Sequence, residues 1–238
     1  MPPIHPRCRC AIMYREVKGE ENKKPAQSKP KQAPASPTTQ NPITIKELGA
    51  RHYGVIQVIL ANAPNPKAAQ VWSKFEGEIK IAATDYKGTA IHKGGLLYLD
   101  VAEVAAGDAI NKPYQILFHE SVHGIDYHNR ENGKYFSEWY KEGAFLKAIK
   151  ADFEELISAT KSKLKTKSEE EAYANLQHEW KKYSRITRAL LSDLLSAQTN
   201  NKYNLGIGHN AKYWQDGGET IKYHEGLSDF AEAALVNK

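Results

Sequence analysis

The sequence predicts an α+β fold, mainly helical with a small β-sheet, and three observations predict it. From residue 44 onward, apolar residues recur mostly at threes and fours, the spacing of helices with one buried face. Two short β-type runs, 80–86 and 90–100, break that texture and are punctuated by glycine. Both runs come just before residues 114–128, a further helical stretch, so the sheet precedes a helix carrying unusual polar residues.

The elements follow in order. Thr44 to about Ala63 reads as a helix, with Leu48, Tyr53, Val55, Ile56, Val58, Ile59 and Leu60 giving a broad apolar face and Pro64 beyond its end. A second helix, Pro66 to Ile79, carries Ala69, Val71, Trp72 and Phe75. The runs Lys80–Tyr86 and Ala90–Asp100 read as paired strands separated by a turn at Lys87-Gly88, with an interruption at Gly94-Gly95. In 114–128, Pro113 suits a first-turn position, and Ile116, Leu117, Val122 and Ile125 supply an apolar set that could bury the helix. Residues 135–200 read as a helical hairpin. One arm carries Phe145, Ile149, Phe153 and Leu156, and the other Tyr173, Leu176, Trp180, Tyr183, Leu190 and Leu194. The tip, Lys161–Glu171, is polar, its lysines form a solvated face, and Ser168 to Glu171 has the spacing of a capping box. Residues 199–220, rich in Gly and Asn, read as loop or hairpin and gather Tyr203, His209, Tyr213 and Trp214. The last helix, Thr220 to Val236, has Leu227, Phe230, Ala231 and Leu235 on its inner face.

Composition excludes several classes. The chain has 238 residues and 41% hydrophobic content, enough for a substantial core. No apolar run approaches the roughly twenty residues that span a bilayer, and the start lacks the apolar segment of a secretory signal, so no membrane role is expected. The net charge of +5 owes much to lysines in low-complexity segments, and a specific nucleic-acid reader is not implied. The two cysteines, Cys8 and Cys10, lie in the first ten residues, so the main body has no disulfide framework, which fits a reducing compartment. With His5 they could form a small metal or thiol site, though a fourth ligand is lacking.

Within 114–128 stand His119, Glu120 and His123, the pattern H-E-x-x-H of zinc proteases. On a helix, residues four apart lie on one face, so the two imidazoles can converge on a Zn2+ ion while Glu120 projects beside it to take a proton from a zinc-bound water. A buried amphipathic helix that happens to carry two histidines is the alternative. A catalytic zinc site usually has three protein ligands. The best third candidate is Glu225, because Asp229 lies four residues on and could accept a hydrogen bond from a ligating imidazole. Rivals are Glu232, on nearly the same face, and His224, His209 and Asp126, with His128 expected to be exposed at the helix end. Asp126, one turn after His123, suits a second supporting role behind the ligands, or is an ordinary surface aspartate. His209 and Tyr213 are candidates to stabilise an oxyanion, or else pack the loop.

The pattern Glu225-x-x-Ser228-Asp229 resembles the glutamate helix of thermolysin-like gluzincins, which implies a zincin-like fold. The departure is distance, since that family places the glutamate a few tens of residues after H-E-x-x-H. In gluzincins a strand before the metal helix lies along the site and can hold substrate backbone by strand addition. Here that candidate is Leu96, Leu97, Tyr98 and Leu99, which could equally form a purely structural edge strand.

The beginning of the chain resembles another family. Pro2-Pro3-Ile4-His5-Pro6-Arg7-Cys8-Arg9-Cys10 is similar to the close of the phage Mu F-like head morphogenesis domain of minor head proteins. Residues 1–16 then read as the end of such a domain. Residues 17–42, rich in Pro, Lys, Gln and Ser, read as a flexible linker, and residues 43–238 as an appended domain. That appendage resembles the metallopeptidase-like domains of some phage minor head proteins, on Phe118–Asp126, Ser192–Ala197 with Gly208-His209 and Tyr213-Trp214, and the Glu225 helix. The resemblances imply a zinc metallopeptidase acting on a peptide or protein substrate, with phage capsid or portal proteins as partners, in the virion or the bacterial host cytoplasm. The alternatives are a non-catalytic head-associated domain with a structural or vestigial metal site, and an effector that acts on a host protein.

Overall fold

In a computed structural model the described residues are 41–183 and 185–236. The reading of 1–16 as the end of a head domain and nearly all of the linker 17–42 lie outside them. The described part is α+β, mainly helical with one small curled sheet. In chain order, β1 (Ile43–Thr44) leads through a 3-10 turn (Ile45–Leu48) to α1 (Ala50–Ala61) and α2 (Pro66–Phe75). Then come β2 (Lys80–Ala83), β3 (Asp85–Lys93), β4 (Leu96–Asp100) and a short α3 (Val101–Ala106) that the sequence reading did not predict. The central helix α4 (Gln115–His128) is followed by α5 (Phe136–Trp139), the long α6 (Ala144–Leu164), α7 (Glu169–Trp180), α8 (Arg185–Gln198) and α9 (Ala211–Val236).

The sheet departs from the predicted hairpin. Its order is β1-β2-β4-β3, with β2 parallel to β4 and β3 antiparallel to β4. β3 runs through the expected Lys87-Gly88 turn, and the reversal falls instead at Gly94-Gly95, where both residues take positive φ. A Cβ on Gly95 would meet the Tyr127 ring at 2.7 Å, so glycine lets this hairpin press against α4. His128, exposed as expected, lies with Nε2 2.9 Å from the Gly95 carbonyl and pins the turn there.

Alternation on β2 and β4 turns Ile81, Ala83, Leu97 and Leu99 inward, where they join Ile56, Leu60, Trp72, Phe118 and Val122 in the main core. Burying each large side chain contributes roughly 1.5–3 kcal/mol. A second cluster, Phe153, Ile157, Ala172, Leu176, Leu195 and Leu205, holds α6, α7 and α8 together. Ser168 caps α7 by accepting from the Glu171 N–H, one half of the predicted capping box, while the Ser168 N–H donates to Thr166 Oγ1 rather than to Glu171. The stretch expected to stay loop until residue 220 becomes helix at Ala211, because α9 continues across a bend at Gly218 (φ 57°, ψ −148°), a backbone state open essentially to glycine. Among the described residues, no helix is long and apolar enough to cross a membrane.

Candidate metal centre

α4 is buried on nearly every side. One face enters the core through Ile116, Leu117, Phe118 and Val122, and Ser121 accepts a 2.7 Å hydrogen bond from the Trp72 indole N–H. The opposite face carries Gln115, His119 and His123, each four residues after the last, and packs against the second half of α9. The helices run antiparallel. Glu225 faces His119 and His123, Asp229 faces His119, and Glu232 reaches both His119 and Gln115.

His119 Nε2 and His123 Nε2 are 3.2 Å apart, and Glu225 Oε2 lies 3.5 Å from the first and 3.7 Å from the second. For a tetrahedral ion bound at about 2.0–2.1 Å, ligand atoms stand roughly 3.3–3.4 Å from one another, so this triangle could hold a metal. Glu225 Oε2 is buried with no hydrogen-bond donor of its own and points at two imidazole nitrogens, which fits a ligand oxygen. Glu232, a rival for that position, lies 3.3 Å from His119 Nδ1, on the far side of the ring from the triangle. Asp229 Oδ1 is also 3.3 Å from Nδ1, on the same side of the ring as Glu232.

The electrostatics follow from burial. Desolvation opposes charge on His119, but Asp229, Glu225 and Glu232 outweigh it and hold its pKa well above the ordinary value. Burial likewise works against an ionised Glu225, yet His209, His123 and His119 together hold its pKa well below the usual range. Asp229 and Glu232 are pushed up by burial, with His119 opposing. Of the three carboxylates around His119, Glu225 is the one held in its charged form and facing both imidazoles, while burial disfavours charge on Asp229 and Glu232 behind the ring.

Glu120, 6% exposed, accepts a 2.8 Å hydrogen bond from the His92 backbone N–H of β3. That hydrogen bond shows that the backbone N–H of His92 points away from β4 and toward the site. The expected substrate strand, Leu96–Leu99, is an interior strand of the sheet. Leu96, Leu97 and Tyr98 of β4 are laddered on both sides, and Leu99 pairs with Ala90, so this strand has no free edge to lend a peptide. β3 is an edge strand, with β1 at the other edge of the sheet. The His92 side chain packs against α4, its ring 5.6 Å from Tyr127 and 6.2 Å from His123, and burial, then the neighbouring His123, His128 and His224, lower its pKa to about 3.

His209 and Tyr213 both reach the site. Their rings stack at 3.7 Å, the Tyr213 hydroxyl donates to Glu225 Oε1, and His209 Nε2 is 4.0 Å from the same oxygen. Asp193 on α8 pairs with His209 Nδ1 and accepts from the His209 backbone N–H at 3.1 Å, fixing the ring. Asp193 has no role assigned from the sequence, where its signal is one carboxylate amid the apolar residues of α8.

Asp126 does not support a ligand. Its two carboxylate oxygens accept from the Ser137 backbone N–H and hydroxyl, each at 2.7 Å, so it anchors the start of α5 instead. The His224 ring lies tilted against Tyr135, with centroids 3.7 Å apart, and its Nε2 is 3.9 Å from Glu138, outside the ligand triangle.

Comparison with family models, curated proteins and solved structures returned no match.

Proposed function

We propose that residues 43–238 are a zincin-like, zinc-dependent metallopeptidase domain carried by a phage minor head protein. The observation that supports this best is the triangle of His119 Nε2, His123 Nε2 and Glu225 Oε2 with Glu120 beside it. Zinc bound by these three would acidify a water and polarise the scissile carbonyl. Glu120 takes the proton as the water oxygen bonds to the carbonyl carbon, and returns it to the amide nitrogen as the C–N bond breaks. The His92 backbone N–H holds Glu120 in place for this.

Substrate backbone lies beside β3, the edge strand nearer Glu120, pairing with its outer groups other than the His92 N–H, which holds Glu120. His209, oriented by Asp193, and Tyr213 stand across Glu225 from the histidines; His209 Nε2 supplies a donor for the oxyanion, and Tyr213 supplies a second by turning its hydroxyl away from Glu225 Oε1. The head-protein part of the reading rests on the resemblance carried by the Pro2–Cys10 motif and on the weaker one carried by Phe118–Asp126, Ser192–Ala197 and the Glu225 helix, and it makes capsid or portal proteins the first substrates to try.

The test is hydrolysis of a model protein by zinc-loaded material. Glu120→Gln is expected to lower the rate by about 10²–10⁴ with zinc still bound. An unchanged rate in that variant overturns the peptidase reading and leaves the non-catalytic metal site.

A further inference from the structure

His119 has two carboxylates on its outer nitrogen, and one of them is unaccounted for by the ligand set and its Asp229 support. Asp229 Oδ1 and Glu232 Oε2 each lie 3.3 Å from Nδ1. Glu232 is fully buried, and its other oxygen accepts a 2.6 Å hydrogen bond from Gln115 Nε2. Gln115 is in turn fixed, because its own Oε1 accepts from the Lys112 backbone N–H at 2.9 Å. A chain of contacts therefore runs from the loop before α4 through Gln115 and Glu232 to the outer edge of the His119 ring. Burying a carboxylate this far inside costs free energy that packing alone does not return, since an apolar side chain would fill the same space without desolvation. An imidazole that uses Nε2 for a metal has a single N–H left at Nδ1, and that proton can be shared between two acceptors.

We propose that Glu232, clamped by Gln115, is a second positioning residue for His119, sharing its Nδ1–H with Asp229 so that the ring stays aimed into the ligand triangle when either carboxylate is lost. This rests on the reading of His119, His123 and Glu225 as a metal centre. The arrangement makes the two carboxylates partly redundant. Losing one leaves the tautomer and ring angle set by the other, and losing both frees the ring to turn.

The test is zinc affinity of the full chain, measured by competition with a chromophoric chelator, in Glu232→Gln, Asp229→Asn and the double variant. Each single variant is expected to weaken zinc about tenfold, in the usual range for residues behind a ligand, and the double variant by more than the product of the two. The absorption envelope of the Co2+-substituted protein should shift in Glu232→Gln, a change that a purely structural residue would not cause. Gln115→Leu removes the clamp while leaving all carboxylates in place, and should shift zinc affinity in the same direction by less. It keeps the test open if Glu232→Gln fails to fold. Zinc affinity within twofold of wild type for Glu232→Gln in both the wild-type and Asp229→Asn backgrounds, or for Gln115→Leu where Glu232→Gln does not fold, overturns the role of Glu232 and leaves the metal centre standing. A wild-type chain that binds neither zinc nor cobalt overturns the metal centre itself.

Discussion

The α4–α9 seam and the α6–α7 hairpin are both helix pairs, yet they bury opposite kinds of side chain. In the hairpin, Phe153, Ile157, Ala172 and Leu176 meet inside while Lys163, Lys165 and Lys167 stay in water. In the seam, Gln115, His119, Glu225, Asp229 and Glu232 are all buried against one another. The hairpin gains free energy from each residue it hides. The seam gives some back through desolvation, and its neighbours must hold it together. Phe118 and Val122 on the opposite face of α4, with Trp72 of α2 packed against them, serve that end. A pair of helices that buries charge where apolar residues would fit is a place to look for chemistry.

Four measurements would break or sharpen this contrast. Phe153→Ala should cost about 3–5 kcal/mol of unfolding free energy and leave zinc affinity of the folded protein unchanged. A fall in affinity would mean that the hairpin and the seam are one cooperative structure. Free zinc held at about 100 times its Kd should stabilise the protein by about 2.7 kcal/mol, lost on adding chelator, and by the same amount in Phe153→Ala.

A third measurement uses acid. The folded pKa of His92 lies near 3 and its ordinary value is 6.5, so between these limits the unfolded chain holds a proton that the folded protein does not. The stability from neutral His92 is complete above pH 6.5 and drains away as pH falls toward 3, by about 1.4 kcal/mol per unit. Urea unfolding of metal-free protein at pH 6.5 and 5.5 should show this loss, and His92→Gln should remove it. The smallest effect concerns the hairpin alone. Ser168→Ala should cost about 1 kcal/mol through the lost cap on α7, with no change in zinc affinity.

The helices were legible in the sequence because their apolar faces repeat locally, and so were His119, Glu120 and His123, whose spacing is itself a helix property. Glu225 and Asp229 were legible for the same reason, since both sit on one face of the last helix. What failed was whatever depended on a partner distant in the chain. Whether β4 or β3 is the edge strand is decided by β2 pairing with β4, and no residue in Leu96–Leu99 records that choice. Asp126 has the spacing of a supporting carboxylate, but Ser137 takes both its oxygens. Glycine misled twice, at Lys87-Gly88, which stays strand, and at Gly217-Gly218, where the helix bends and resumes.

Gln115 and Glu232 are hydrogen-bonded although 117 residues apart in sequence. Bringing the ends of a chain together costs entropy that grows only as the logarithm of the length between them, so each doubling adds about 0.6 kcal/mol. The helical hairpin that lies between the histidines and Glu225, and so departs from the gluzincin spacing, therefore places little entropic burden on the seam. Its polar tip could be shortened or lengthened by many residues while α4 and α9 still meet.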